Sequence, residues 1–276
     1  MAKVYDCFSF FNELDLLEIR LNELNDVVDV FVLVEATRTF QNKPKELIFE
    51  KNKERFARFL PKIRHVVVDK YPTFFTRFRR TKTWDFERNQ RDFVSKGLTD
   101  CQPDDLILLS DVDEIPRKEA IEKAKSLPYL KVFRQKMFYY YVNCFVYDYN
   151  EPIEYCAEGY MPWHGSIAVH YKDFTNFEDL RTSRNQKKTK RSFIENGGWH
   201  YSWLGGVDRV LQKLDAYSHQ EHNTEANRSP ERIRQLISSG GDLFGTGIKT
   251  KIVDPLADCP DYLRTHLQNY PDFVLK

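Results

Sequence analysis

Four consecutive apolar residues, Leu106-Ile107-Leu108-Leu109, stand between Asp104-Asp105 and Ser110-Asp111. The run reads as a short buried strand bounded by polar signals. It leads directly into Asp111-Val112-Asp113-Glu114-Ile115-Pro116, where the proline ends further ladder pairing. Side chains alternate along extended backbone, so Asp111 and Asp113 are expected on one face and Glu114 on the other. Two carboxylates held close together repel unless a cation or a proton lies between them. In α/β proteins the C-terminal end of a buried strand is where a divalent metal and a phosphorylated ligand are held. An acidic surface turn is the simpler alternative.

Around this strand the chain alternates strand and helix. Residues 3–11 and 27–34 are apolar and read as strands, and Leu14, Leu17, Leu21 and Leu24 between them recur at helical spacing. A helix is expected near 51–59, a strand at 63–68, a loop at 74–80, and a helix over 84–96 that Gly97 ends. The pattern predicts an α/β fold with a mostly parallel central sheet and helices on both faces. Beyond Pro116 come a short helix at 118–126 and an aromatic-rich stretch at 132–147, which suggests antiparallel strands. Residues 182–191 are polar and read as a loop, and helices are expected at 207–216 and from Pro230. No linker divides the chain. Residues 1–276 are expected to form one domain, with the change of pattern after Pro116 separating 1–116 from 117–276.

Composition narrows the function classes. The net charge is +1, which gives no bulk electrostatic case for nucleic acid or an anionic membrane. The basic runs Arg77-Phe78-Arg79-Arg80 and 187–191 read as solvated loops. The 5 cysteines are scattered without a C-x-x-C pair, which argues against a zinc site or a disulfide framework and fits a reducing compartment. No apolar run approaches the roughly 20 residues a membrane span needs, and no signal peptide is recognisable. The expectation is a soluble, cytoplasmic protein. P-loop, dinucleotide and G-x-S-x-G motifs are all absent from the sequence.

Several other side chains carry two readings. His200 lies between Trp199 and Tyr201 behind Gly197-Gly198; it is a candidate third metal ligand or a packed core histidine. Arg88 and Arg91 share a helical face with Trp84, and arginine suits bidentate phosphate contact, but a solvated charged face explains them as well. Glu35 closes a buried strand at the same sheet edge, where it would bond a ribose or base, or else cap a helix. Lys213 is a phosphate contact or a solvated lysine.

Taken in order, these blocks resemble glycosyltransferase family 17. The matching residues are Tyr5-Asp6-Cys7-Phe8 with Asn12-Glu13, Val34-Glu35 with Thr37, Arg88-Asn89-Gln90, Asp111 to Pro116, Gly198-Trp199-His200 with Ser202-Trp203, Lys213 with Ser218, and Arg234 with Gly240-Gly241. The resemblance implies a GT-A type fold, a UDP-sugar donor, Mn²⁺ or Mg²⁺ held by Asp111, Asp113 and His200, and inversion at the anomeric carbon. It implies transfer of a sugar such as N-acetylglucosamine to a glycan or glycoconjugate acceptor. A carboxylate would deprotonate the acceptor hydroxyl; Glu158, ahead of Gly159 in an irregular aromatic segment, is the preferred base over Glu178, Asp179 and Glu195. Trp163, Trp199, Trp203 and Tyr139-Tyr140-Tyr141 are candidate sugar platforms. A metal-dependent nucleotidyl- or phosphotransferase and a non-catalytic carbohydrate- or nucleotide-binding protein are the rival readings.

Overall fold

The computed structural model describes residues 2–72, 75–76, 79–80, 83–150, 153–216 and 223–275. The chain opens with β1 (Val4–Phe10), α1 (Leu14–Leu24), β2 (Val30–Ala36), α2 (Ile48–Asn52) and β3 (Ile63–Val68). A two-residue ladder, β4 (Phe75–Thr76) with β5 (Arg79–Arg80), precedes α3 (Thr83–Asp92). Then come β6 (Leu106–Asp111), β7 (Glu114–Pro116), α4 (Lys118–Ala124), β8 (Leu130–Tyr139), β9 (Cys144–Asp148) and β10 (Trp163–His170). The last part holds α5 (Phe177–Ser183), β11 (Arg191–Ile194), β12 (Gly198–Ser202), α6 (Gly206–Ala216), α7 (Glu225–Arg228), α8 (Pro230–Ser239), β13 (Lys249–Ile252) and α9 (Asp261–His266). Two expectations lie partly or wholly outside the described residues: the loop at 74–80 with its Arg77-Phe78 pair, and Ser218.

Among the described residues the main sheet has 11 strands: the path β13-β9-β8-β10-β6-β1-β2-β3, with β11 and β12 joined to β8 and β7 joined to β12. β3, β2, β1 and β6 are mutually parallel, and β10 runs antiparallel to both β6 and β8. This is an α/β arrangement, as expected, with the parallel strands β6-β1-β2-β3 at one end of the sheet. The sheet is mixed rather than mostly parallel: the β8–β9, β9–β13 and β7–β12 pairs are antiparallel as well. Connection length explains the difference: the short link from β8 to β9 permits only an antiparallel pair, whereas β11 and β12, which return to β8 after long connections, pair with it in parallel.

Helices cover both faces of the parallel part. Alternation along β1 sends Val4 and Phe8 toward Leu17 and Leu21 of α1 and Ile121 of α4, and sends Tyr5 and Cys7 toward Val94 and Phe177. Asp6 shares the first of these faces, where a carboxylate would be stranded. It is met by Arg20 of α1. Both side chains are fully buried, with Arg20 Nε 2.8 Å and Nη2 2.6 Å from the two Asp6 oxygens. Arg20 also donates to Ser110 Oγ at 2.6 Å and to the carbonyls of Asp111, Val112 and Glu114 at 3.2, 3.3 and 2.8 Å. The guanidinium thus ties β1 to the turn that follows β6.

Helix ends follow local chemistry. Ser229 caps α8 through its Oγ, Pro230 occupies the first turn, and Gly240 closes the helix at φ +67°. The helix expected at 51–59 changes type within its length: α2 ends at Asn52, and 3-10 helix kinked at Phe56 and containing Pro61 fills Lys53–Lys62. Residues 182–191 are not wholly loop, since α5 runs into them behind the Asn176 cap, whose side chain accepts from Asp179 N. No helix among the described residues is long and apolar enough to cross a membrane.

Removing one member of a buried ion pair strands the other, at about 3–5 kcal/mol. Asp6→Asn and Arg20→Met are each expected to lose that much, read as a lower urea midpoint. An unchanged midpoint in both would show that the pair does not hold the fold.

Candidate active site

A cleft of about 590 Å³ opens at the C-terminal ends of β1 and β6. This is where open α/β sheets bind ligands, and the volume suits a small-molecule substrate. β1 brings Ser9 and Phe10 to it, β6 brings Asp111, α3 brings Glu87 and Arg91, and β12 brings His200. α3 is seated by Gln90, whose amide donates to the carbonyls of Phe10 and Val34 at 3.4 and 3.2 Å. β12 reaches the site because its leading residues lack side chains. A Cβ on Gly198 (φ +136°) would lie 2.2 Å from Ile115 O, and one on Gly197 would lie 2.8 Å from Phe133 Cβ. That close approach pairs His200 with Glu114 across the β7–β12 ladder.

The alternation expected for the acidic stretch stops at Asp111, because residues 112–113 form a turn rather than extended strand. Asp111 and Asp113 both line the cleft but meet different partners. Asp111 Oδ2 accepts from Arg181 at 2.8 Å and Arg91 at 3.3 Å. Asp113 has Lys213 Nζ at 3.2 Å and His200 Nε2 at 3.8 Å. Glu114 is not on an opposite face: it joins the same network, with Arg181 on both oxygens at 3.0 Å, Trp163 Nε1 at 2.8 Å and Asp111 N at 3.0 Å.

Electrostatics follow these contacts. Burial opposes ionisation of Glu114, but the charge and hydrogen bonds of Arg181 outweigh it and hold the carboxyl well below the usual range. Asp111 moves the same way, with burial overcome by Arg181 and Arg91. Burial lowers His200, against the opposing pull of Asp113 and Glu114, so the ring is neutral near pH 7 and able to ligate a metal.

Other expected residues stand elsewhere. Glu35 is fully buried away from the cleft lining and caps α2, accepting from the backbone N–H of Ile48 at 2.5 Å and of Phe49 at 3.2 Å, with His65 Nε2 at 3.1 Å. Arg88 is exposed and off the cleft, whereas Arg91, one turn on, is inside it. Glu158 is exposed on the turn after Cys156, outside the cleft lining, so it is dropped as the base. Glu178 lies against Arg91 at 3.0 Å, Asp179 belongs to the α5 cap, and Glu195 pairs with Arg134. Trp163, Trp203 and Tyr139 line the cleft; Trp199 does not, being buried against Arg117 and Asp258. Arg181 and Arg184 were missed. Their signal was the Asn176 cap followed by Phe177 and Leu180 at helical spacing, which puts Arg181 and Arg184 one turn apart.

A divalent cation suits part of this set. Asp113 and His200 offer a carboxylate oxygen and a neutral imidazole, and the second His200 nitrogen is buried without a partner. That pair fits Mg²⁺ or Mn²⁺ taking its remaining ligands from phosphate oxygens and water. Asp111, as seated, is satisfied by guanidinium. Among the described residues no three His, Cys, Asp or Glu side chains converge as a ready ligand set.

The model of "Glycosyltransferase family 17" matches residues 1–247. The chain belongs to this family. The β-1,4-mannosyl-glycoprotein 4-β-N-acetylglucosaminyltransferases of Rattus norvegicus and Mus musculus are each 24% identical over 303 aligned positions, covering 98% of this chain and 54% of theirs. The family 17 chain therefore spans about half the length of these curated relatives. Among solved structures, HddC from Yersinia pseudotuberculosis complexed with GMP-PN aligns at TM-score 0.40 and 8% identity over 71% of this chain and 90% of its own. Glucosyl-3-phosphoglycerate synthase from Mycobacterium tuberculosis aligns at TM-score 0.40 and 12% identity over 95% and 91%.

The depressed Glu114 value fixes a sign. Its folded pKa lies below the unfolded value of about 4.3, so its contribution is full above that pH and is lost as pH falls toward the folded value. The unfolding free-energy advantage of wild type over Glu114→Gln is expected to be large at pH 7 and to shrink by pH 3. Urea titrations at both pH values read it, and an advantage that stays constant contradicts the assignment.

Proposed function

We propose that this family 17 chain is a metal-dependent, inverting glycosyltransferase that moves a sugar, N-acetylglucosamine in the first instance, from UDP to a glycan acceptor. The observation that carries the reading is the meeting of Asp111, Asp113, His200 and Lys213 in one cleft at the C-terminal ends of the parallel strands. Family membership supports sugar transfer, and the names of the relatives support N-acetylglucosamine.

In this reading Asp113 and His200 hold the Mg²⁺ or Mn²⁺, which when bound supplies Lewis-acid stabilisation of the leaving diphosphate. Lys213, 3.2 Å from Asp113, stands where a phosphoryl oxygen would meet it. Arg91 and Arg181 keep Asp111 and Glu114 ionised and seat the turn that carries Asp113. Trp163, Trp203 and Tyr139 form an aromatic wall suited to sugar rings, whose C–H faces pack on aromatic surface. The acceptor oxygen bonds to the anomeric carbon as the bond to the diphosphate oxygen breaks. The acceptor's proton passes to a carboxylate within hydrogen-bond reach, which requires a group lining the cleft.

A nucleotide-sugar screen with Mn²⁺ and a panel of glycan acceptors, read as UDP release, tests the proposal. Asp113→Ala is expected to lower the rate about 100-fold or more, since even outer partners of metal ligands typically cost 10- to 100-fold. Equal rates for wild type and variant on every donor would overturn it. Attachment of the nucleotide to the acceptor, in place of free UDP, would replace it with nucleotidyl transfer.

A further inference from the structure

Arg184 ends α5 in helical backbone (φ −56°, ψ −30°), so its side chain follows that of Arg181 by one turn and enters the same cleft. The two guanidiniums live in different surroundings. Arg181 is matched by carboxylates, Asp111 at 2.8 Å and Glu114 at 3.0 Å. Arg91 is likewise matched by Glu87, Asp111 and Glu178 at 2.7, 3.3 and 3.0 Å. Among the described residues Arg184 has no carboxylate within ion-pair distance. Among the described residues its guanidinium makes one hydrogen bond, from Nη1 to Gly165 O at 3.2 Å, and it lies over the Trp163 ring at 5.5 Å. A guanidinium carries five N–H donors, so most of this one's capacity is turned to the cleft. Burial and the neighbouring Arg181 charge push Arg184 down to about 9, which leaves it charged at neutral pH. A cation held this way calls for an oxyanion that accepts from its planar fork.

Its place says which oxyanion. Trp163, which Arg184 overlies, also stacks on His200 at 4.8 Å, and its Nε1 donates to Glu114. Arg184 is therefore at the metal corner of the cleft rather than at its outer rim. We propose that Arg184 anchors a phosphoryl group of the nucleoside diphosphate bound in this cleft, through charge-assisted hydrogen bonds from its fork. This rests on the transferase reading for the identity of the nucleotide, but not for the anion chemistry. In the sequence Arg184 falls in the polar stretch 182–191, and the Asn176 cap is the local mark of the helix that places it.

The test is calorimetric binding to the full chain in EDTA, with inorganic pyrophosphate, UDP, uridine and glucuronate as probes. Arg184→Gln is expected to weaken pyrophosphate and UDP by about tenfold, the equivalent of one charge-assisted contact, and to leave uridine unchanged. Arg88→Gln, an exposed arginine outside the cleft, is expected to bind all four probes as wild type does. Pyrophosphate binding within twofold of wild type in folded Arg184→Gln overturns the proposal, as does dependence of glucuronate alone on Arg184. If the variant does not fold, phenylglyoxal labelling of wild type decides: pyrophosphate is expected to protect Arg184, and unprotected labelling overturns the assignment. Arg184-dependent pyrophosphate binding without turnover of any sugar nucleotide would sink the transferase reading and leave this one standing. Turnover with UDP binding independent of Arg184 would do the reverse.

Discussion

The Arg20–Asp6 pair is the contact on which the site depends. Its charges are fully buried, and an isolated charge in such a place would be strongly unfavourable, so neither residue is tolerable alone. Arg20 does more than neutralise Asp6. Three of its contacts go to carbonyls of the turn after β6, and one goes to Ser110 Oγ. That turn has left the regular ladder and would otherwise carry unsatisfied backbone acceptors inside the protein. One guanidinium therefore satisfies the turn's backbone and sets the direction of the three acidic side chains it presents to the cleft.

The acidic side chains then sort by their partners. Asp111 and Glu114 are bound into a network with Arg91 and Arg181, which joins α3, α5 and the turn into one electrostatic unit. Asp113 is held more loosely, between Lys213 and a neutral His200, and is the carboxylate best placed to exchange a protein contact for a metal ion. Three carboxylates close in sequence thus take different tasks because the cations around them differ. The chain belongs to glycosyltransferase family 17, and the proposed donor, a sugar bearing a diphosphate leaving group, would give these tasks their chemical setting.

Much of this was legible in the residues. A buried apolar run ending in Asp-x-Asp reads as carboxylates delivered at the end of a core strand, and Gly197-Gly198 before Trp-His reads as close backbone approach. Both expectations match the structure at β6 and at β12. What failed did so for physical reasons. The two-residue alternation placed Glu114 on the wrong face because it assumes extended backbone, and residues 112–113 turn. Glu35 carried two readings, a ligand contact or a helix cap, and the cap is what the structure shows; the sequence could not choose because the α2 N–H groups it satisfies are separated from it by more than ten residues. Arg20 was overlooked because an arginine on an amphipathic helix looks solvated unless the buried acid opposite it is known.

The sequence alone therefore determined the strand that carries the acidic pair, the helical faces that cover it, the family, and the chemistry available at Asp111, Asp113, His200 and Lys213. Those are properties of short windows, where periodicity and turn chemistry act locally. Tertiary structure decided which arginines matter. Arg88 and Arg91 are three residues apart on one helix, yet one is exposed and the other is in the cleft, and Arg184 enters the cleft beside Arg181 from a polar stretch that reads as a loop. An arginine's role is set by the carboxylates, carbonyls and rings within a few ångströms of its guanidinium, and those arrive from distant parts of the chain only when it folds.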